Sequence, residues 1–163
     1  MASLVDEAVW LRVMGRGTFQ TSAGMKEYAR RMIQRGRRHF VVDLAACELM
    51  DSTFMGTLAG LALRLREFGT GGLTVINGNA RNTMLLENLG LDHLFSFTLP
   101  EGITPPPAAT AKPLDGATVS ASQQHDTILS AHEALVEADP ENEARFKDVL
   151  ELLKQESSSD ADS

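Results

Sequence analysis

Residues 39–61, HFVVDLAACELMDSTFMGTLAGL, restrict the fold more than any other part of the chain. The first nine, HFVVDLAAC, are a near-continuous apolar run, as expected of a strand covered on both faces. After Asp51-Ser52-Thr53 the pattern changes. Met55, Leu58, Ala59, Ala62 and Leu65 then recur at helical spacing over residues 52–68. A doubly covered strand followed at once by a helix is the building unit of an α/β sheet.

The rest of the first hundred residues repeats that alternation. AVWLRVM (8–14) reads as a strand, with Gly15 and Gly17 punctuating its end. Thr21 or Ser22 offers an N-cap oxygen for a helix that aligns Met25, Tyr28, Ala29, Met32 and Ile33 and stops near Gly36. LTVIN (73–77) is a further strand, ARNTMLLENLG (80–90) a short helix closed by Gly90, and LFSFTL (94–99) a last strand. Short connections place residues 1–99 in one domain, a β-sheet with helices packed against it.

Beyond Pro100 the texture differs. Residues 100–124 are rich in Pro, Ala, Ser and Thr and predict a linker, extended around Pro105–Pro107. Residues 125–156 predict two amphipathic helices. Ile128, Leu129, His132, Leu135 and Val136 share a face of the first, and Phe146, Val149, Leu150 and Leu153 form the stripe of the second. Asp139-Pro140-Glu141 reads as the start of that second helix. Residues 157–163 read as a disordered acidic tail. Two such helices must bury their stripes, on the domain in cis or on another chain in a homo-oligomer.

Charge follows the same division. Residues 1–98 hold 11 Lys/Arg against 9 Asp/Glu, and residues 99–163 hold 4 against 13, so the net −7 is concentrated in the C-terminal part. An acidic tail disfavours nucleic acid as the main ligand. The basic group Arg30, Arg31, Arg35, Arg37 and Arg38 falls at the end of the first helix. It either complements the helix dipole there or docks an acidic segment. The N-terminus lacks the pattern of a secretory signal and no apolar run reaches a membrane span of about 20 residues, so a soluble, cytoplasmic protein is expected.

Few chemistries are compatible with this residue set. Cys47 is the single cysteine, expected as a buried small hydrophobe, and His39, His93, His125 and His132 have no ligand spacing, so no metal is expected. No phosphate-binding glycine loop follows a strand, so no cofactor is expected, and no G-x-S-x-G elbow or predictable histidine partner surrounds Ser52. The chain does not read as an enzyme. What remains is the seam at Asp51-Ser52-Thr53. Ser52 either serves only the helix N-terminus or accepts a phosphate there, where the dipole tolerates an anion and Asp51 would make the surface strongly negative.

The seam and its surroundings resemble the STAS domain of anti-sigma factor antagonists. Val42-Asp43-Leu44 and then Leu49-Met50-Asp51-Ser52-Thr53, with Gly56 and Leu58 after, are similar to the family's strand and D-S-[ST]-G-x-G-x-L helix start. Gly17 to Gly24 and residues 77–91 are similar to its first-helix start and to the stretch before its last strand, and the resemblance covers about residues 5–98. It implies a STAS-like mixed β-sheet with the C-terminal helices as an addition. It also implies a bacterial regulator of transcription. Ser52 would be phosphorylated by a serine kinase that doubles as an anti-sigma factor and restored by a phosphatase. Thr53 would be its neighbour, and Asp51 would fix the loop. Asp51, Thr53, Phe54, Met55 and Gly56 would form the partner surface. Phe54 stands where the family carries Gly, adding bulk at that surface. The other reading of the same residues is a STAS scaffold held in a constitutive assembly by its C-terminal helices, with Ser52 as a cap.

Overall fold

The apolar run at 39–43 lies in the middle of a sheet, where a strand covered on both faces belongs. The computed structural model describes residues 8–99 and 121–161, with side chains over 8–99 and 124–155. Strand β3 (His39–Asp43) is flanked by β1 (Val9–Arg12) and β5 (Gly72–Ile76), in the order β1-β3-β5, and both pairings are parallel. Phe40, Val41 and Val42 are completely buried. Parallel neighbours require crossovers. Helices α1 (Phe19–Gln34) and α2 (Ser52–Glu67) supply them.

The expected strand 39–47 is two strands. The Asp43 carboxylate accepts from Ala45 N–H (2.9 Å) and Cys47 N–H donates to Leu44 (3.0 Å), so a turn ends β3. The chain resumes as β4 (Cys47–Met50), paired in parallel with β2 (Gly15–Gly17). Gly15 and Gly17 therefore belong to a short strand rather than only ending the one before. This small sheet delivers the chain to Asp51.

Helix α1 starts earlier than Thr21 or Ser22 predicts. Thr18 is the cap: its hydroxyl accepts from Gln20 N–H (3.3 Å), and Thr21 Oγ1 accepts from Thr18 N–H (2.9 Å). Ser22 is buried and donates to the Thr18 carbonyl (2.7 Å). The expected last strand, 94–99, shrinks to one bridge between Thr74 and Ser96. There the Ser96 hydroxyl turns to the Thr98 carbonyl (2.9 Å). Helix α3 (Ala80–Asn88) is capped by Asn79, which accepts from Asn82 N–H (2.7 Å).

The C-terminal helices are α4 (Ala121–Ala138) and α5 (Asn142–Ala161). Helix α4 begins inside the expected linker, whose residues 100–120 lie outside the described residues, and α5 runs into the expected tail. Helix α5 also starts later than Asp139. The Asp139 carboxylate accepts from Glu141 N–H (3.1 Å) and its carbonyl from Asn142 N–H (2.9 Å), forming a turn ahead of the helix. The layers are thus sheet, then α1 and α2, then α4 lying along α2, with α5 packed on α4. Among the described residues no helix is long and apolar enough to cross a membrane.

Candidate functional site: the seam at the start of α2

Strand β4 ends at Met50, and Asp51 N–H donates to the Gly17 carbonyl (2.8 Å), which fixes the turn into α2. The Asp51 carboxylate then serves two helices. One oxygen accepts from Phe54 N–H (2.7 Å), capping α2, and the other accepts from Phe19 N–H (2.9 Å) at the start of α1. Two helix N-termini converge on one carboxylate, which satisfies orphan donors of both.

Ser52 is the first residue of α2 and is half-buried. Its Oγ lies 2.9 Å from Nε2 of His132, on α4. Nδ1 of that ring lies 2.7 Å from the Ile128 carbonyl, which can only accept, so Nδ1 carries the proton. With a single proton on the ring, at Nδ1, Nε2 is the acceptor and the Ser52 hydroxyl donates to it. His132 is buried, with Phe146 of α5 edge-on at 5.0 Å between ring centroids. The arrangement reads a neutral hydroxyl. It also has the contact of a nucleophile with its base, although the group orienting the ring is a main-chain carbonyl and the Phe54 N–H is taken by Asp51.

The remaining site residues divide by direction. Thr53 and Met55 are buried, and the Thr53 carbonyl accepts from the Thr57 hydroxyl (2.8 Å). Phe54 points inward. It is 1 % exposed within the core. A Cβ added to Gly17 would meet its ring at 2.8 Å, so the bulk of Phe54 is accommodated by the missing side chain of Gly17 on β2. Gly56 faces α4, and a Cβ there would collide with the Ala131 main chain, while a Cβ on Gly60 would meet the Ala134 methyl at 3.5 Å. Four of the expected partner residues, Thr53, Phe54, Met55 and Gly56, are thus covered, and Asp51 and Ser52 stand at the rim.

The sequence does not reveal His132 as the partner of Ser52, because the two are 80 residues apart. The available signal was a single histidine on an otherwise apolar helical face. Ala131 and Ala134 were also missed. The buried face of α4 runs through Thr127, Ala131, His132, Ala134 and Leu135, while Ile128, Leu129 and Val136 are half-buried. A close helix crossing places small residues at its centre and larger ones at its margins.

Elsewhere, the Cys47 thiol is buried, and burial pushes its pKa up. Arg30 and Arg31 pair with Glu27 within α1, and their guanidinium groups hold its carboxyl below the usual range. Arg38 donates to the Ile33 carbonyl at the end of α1 (2.9 Å) and lies 3.9 Å over the Phe68 ring. Among the described residues no three His, Cys, Asp or Glu side chains gather as a metal-ligand set.

A search of the curated proteins finds no match to the chain. The family model described as "Mlab, STAS domain" matches residues 1–100, which span the sheet, α1 to α3 and the seam, and stop short of α4 and α5. That match covers more than half of the chain, and its parallel strands and crossover helices are those of the fold just described. The chain belongs to the STAS-domain family.

Proposed function

We propose that the protein is a cytoplasmic, non-enzymatic partner-switching regulator of the anti-sigma factor antagonist kind, with Ser52 as its phosphoacceptor. The observation that carries this reading is the position of Ser52. It is the first residue of α2, beside the Asp51 cap, with its hydroxyl bonded to a group that reads it in the neutral state. In the modification, Ser52 Oγ attacks the γ-phosphorus of ATP bound to a serine kinase. The bond to the β–γ bridging oxygen breaks, ADP leaves, and the hydroxyl proton passes to a base of the kinase. The kinase doubles as the anti-sigma factor that the unmodified protein binds, and a phosphatase returns the hydroxyl. The added charge of about −1.5 to −2 beside Asp51 removes a surface fitted to a neutral group.

Incubation of the full chain with ATP and an anti-sigma serine kinase should add one phosphate, located at Ser52 by mass spectrometry, and Ser52→Ala should abolish it. Phosphate found only at other residues would sink the assignment.

A second reading, a STAS interaction subunit without a phospho-switch, is favoured by one specific observation. Helix α4 packs against Gly56 and draws Ser52 into a half-buried contact with His132. In that case Ser52→Ala would leave partner capture unchanged.

A further inference from the structure

Helix α4 sits on α2 as a partner helix would. Gly56 and Gly60, one turn apart on α2, meet Ala131 and Ala134 of α4, so the two backbones approach closely. At the α2 N-terminus His132 accepts the Ser52 proton, and on the flank Lys26 of α1 donates to Ser130 (2.9 Å). At the far end Asn142, fully buried, donates to the Leu135 carbonyl (2.8 Å) and to the Leu89 carbonyl after α3 (2.9 Å). The helix therefore supplies small residues for a close crossing and an acceptor for a neutral serine hydroxyl.

We propose that α4 is a tethered competitor for the partner face of α2, seated on the neutral hydroxyl of Ser52, and that a phosphate on Ser52 expels it. This rests on the reading of Ser52 as phosphoacceptor. Esterification removes the one proton that Ser52 gives to His132. It also adds three oxygens to an Oγ that stands only 2.9 Å from Nε2. The ring is held by its neighbours. Nδ1 is tied to Ile128, Phe146 lies against the ring, and the adjacent Ala131 main chain is already in contact with Gly56. A dianion held there would also be half-buried beside the Asp51 carboxylate. In the unmodified chain an external partner that reads the neutral hydroxyl must displace α4 to reach the same face, which lowers its apparent affinity. The phosphate that expels α4 also removes the neutral surface that this partner reads, so the modified chain exposes the face without restoring that binding. The partner that fits is a protein helix with small residues three or four apart.

The test uses the full chain with phosphoserine installed at position 52 during synthesis, compared with the unmodified chain by hydrogen exchange. Amide exchange across residues 124–138 should accelerate about tenfold or more while β3 and β5 stay protected. His132→Ala in the unmodified chain should accelerate the same amides about fivefold, and phosphoserine should then add little. Gly56→Leu, which drives a side chain into Ala131 without altering Ser52, provides the exchange pattern of the open state. Unchanged or slower exchange in the phosphoserine chain would mean that His132 clamps the phosphate, and would overturn the proposal. So would loss of β3 protection, or an undiminished phosphoserine effect in His132→Ala. Because the phosphate is installed without a kinase, failure here leaves the acceptor reading standing. Failure of any kinase to modify Ser52 would sink that reading alone.

Discussion

Asp51 shows how much one side chain can do at a seam. Its two oxygens close α2 through Phe54 N–H and hold the start of α1 through Phe19 N–H, so it serves both crossover helices. A single N-cap contributes about 0.5–2 kcal/mol. Asp51→Ala should therefore destabilise the protein by about 2 kcal/mol or more in urea denaturation, and Asp51→Asn should recover part of that. A loss below about 0.5 kcal/mol would show that water replaces the carboxylate at both helix starts. The cap on α2 is legible in the sequence, since Asp ahead of an apolar-periodic run is a local signal. The bond to Phe19 is not, because nothing local links residue 51 to a helix start 32 positions earlier. Phe54 illustrates the same limit. Its bulk is plain from the sequence, but the direction of its ring was fixed by Gly17 across the small sheet.

At the scale of elements, α2 explains why the C-terminal helices attach where they do. It buries Phe54, Leu58 and Leu65 with the sheet and also Thr53, Gly56 and Thr57, so it is apolar or small nearly all round. A helix of that kind needs cover on two sides. The sheet covers one and α4 the other. Between α2 and β2 the fit is specific. Gly17→Ala should force the Phe54 ring to shift and cost about 1–3 kcal/mol, as overpacking does. The double variant Gly17→Ala with Phe54→Leu should recover most of it. If the two effects simply add, the packing of Phe54 over Gly17 is not what limits that site. The three strands of the main sheet and helices α1 to α3 were readable from period and turn chemistry, but β2, built on Gly15 and Gly17, was not. The split of the 39–47 run and the shrinking of the last strand were not. Both depend on side-chain bonds, Asp43 to Ala45 and Ser96 to Thr98, that redirect the backbone.

At the scale of the whole molecule, the hairpin of α4 and α5 is joined to the STAS domain through the α2 face and through Asn142. Removing its amide takes the side-chain donor from the buried Leu89 carbonyl, while the Leu135 carbonyl keeps Asp139 N–H (3.1 Å), at a cost of about 1–3 kcal/mol. Trp10 is the only tryptophan and lies on β1, so its fluorescence reports on the sheet, while far-UV circular dichroism also sees α4 and α5. In the native chain the two signals should be lost together on urea denaturation. In Asn142→Ala the helical signal should fall first as the hairpin detaches. Coincident transitions in that variant would show that the remaining contacts, α2–α4 and Lys26–Ser130 among them, suffice to bind hairpin and domain into one cooperative unit.

The sequence by itself determined the α/β class, the order of the main elements and the place of Ser52 at a helix start. These follow from patterns a few residues long, and short-range geometry makes such patterns decisive. Only the tertiary structure decided that Phe54 points inward, that α4 lies in cis on α2, and that His132 meets the Ser52 hydroxyl. Those contacts join segments far apart in the chain. They depend on a close helix crossing at Gly56 and Ala131, where the informative residues are the small ones that hydrophobic periodicity weighs least.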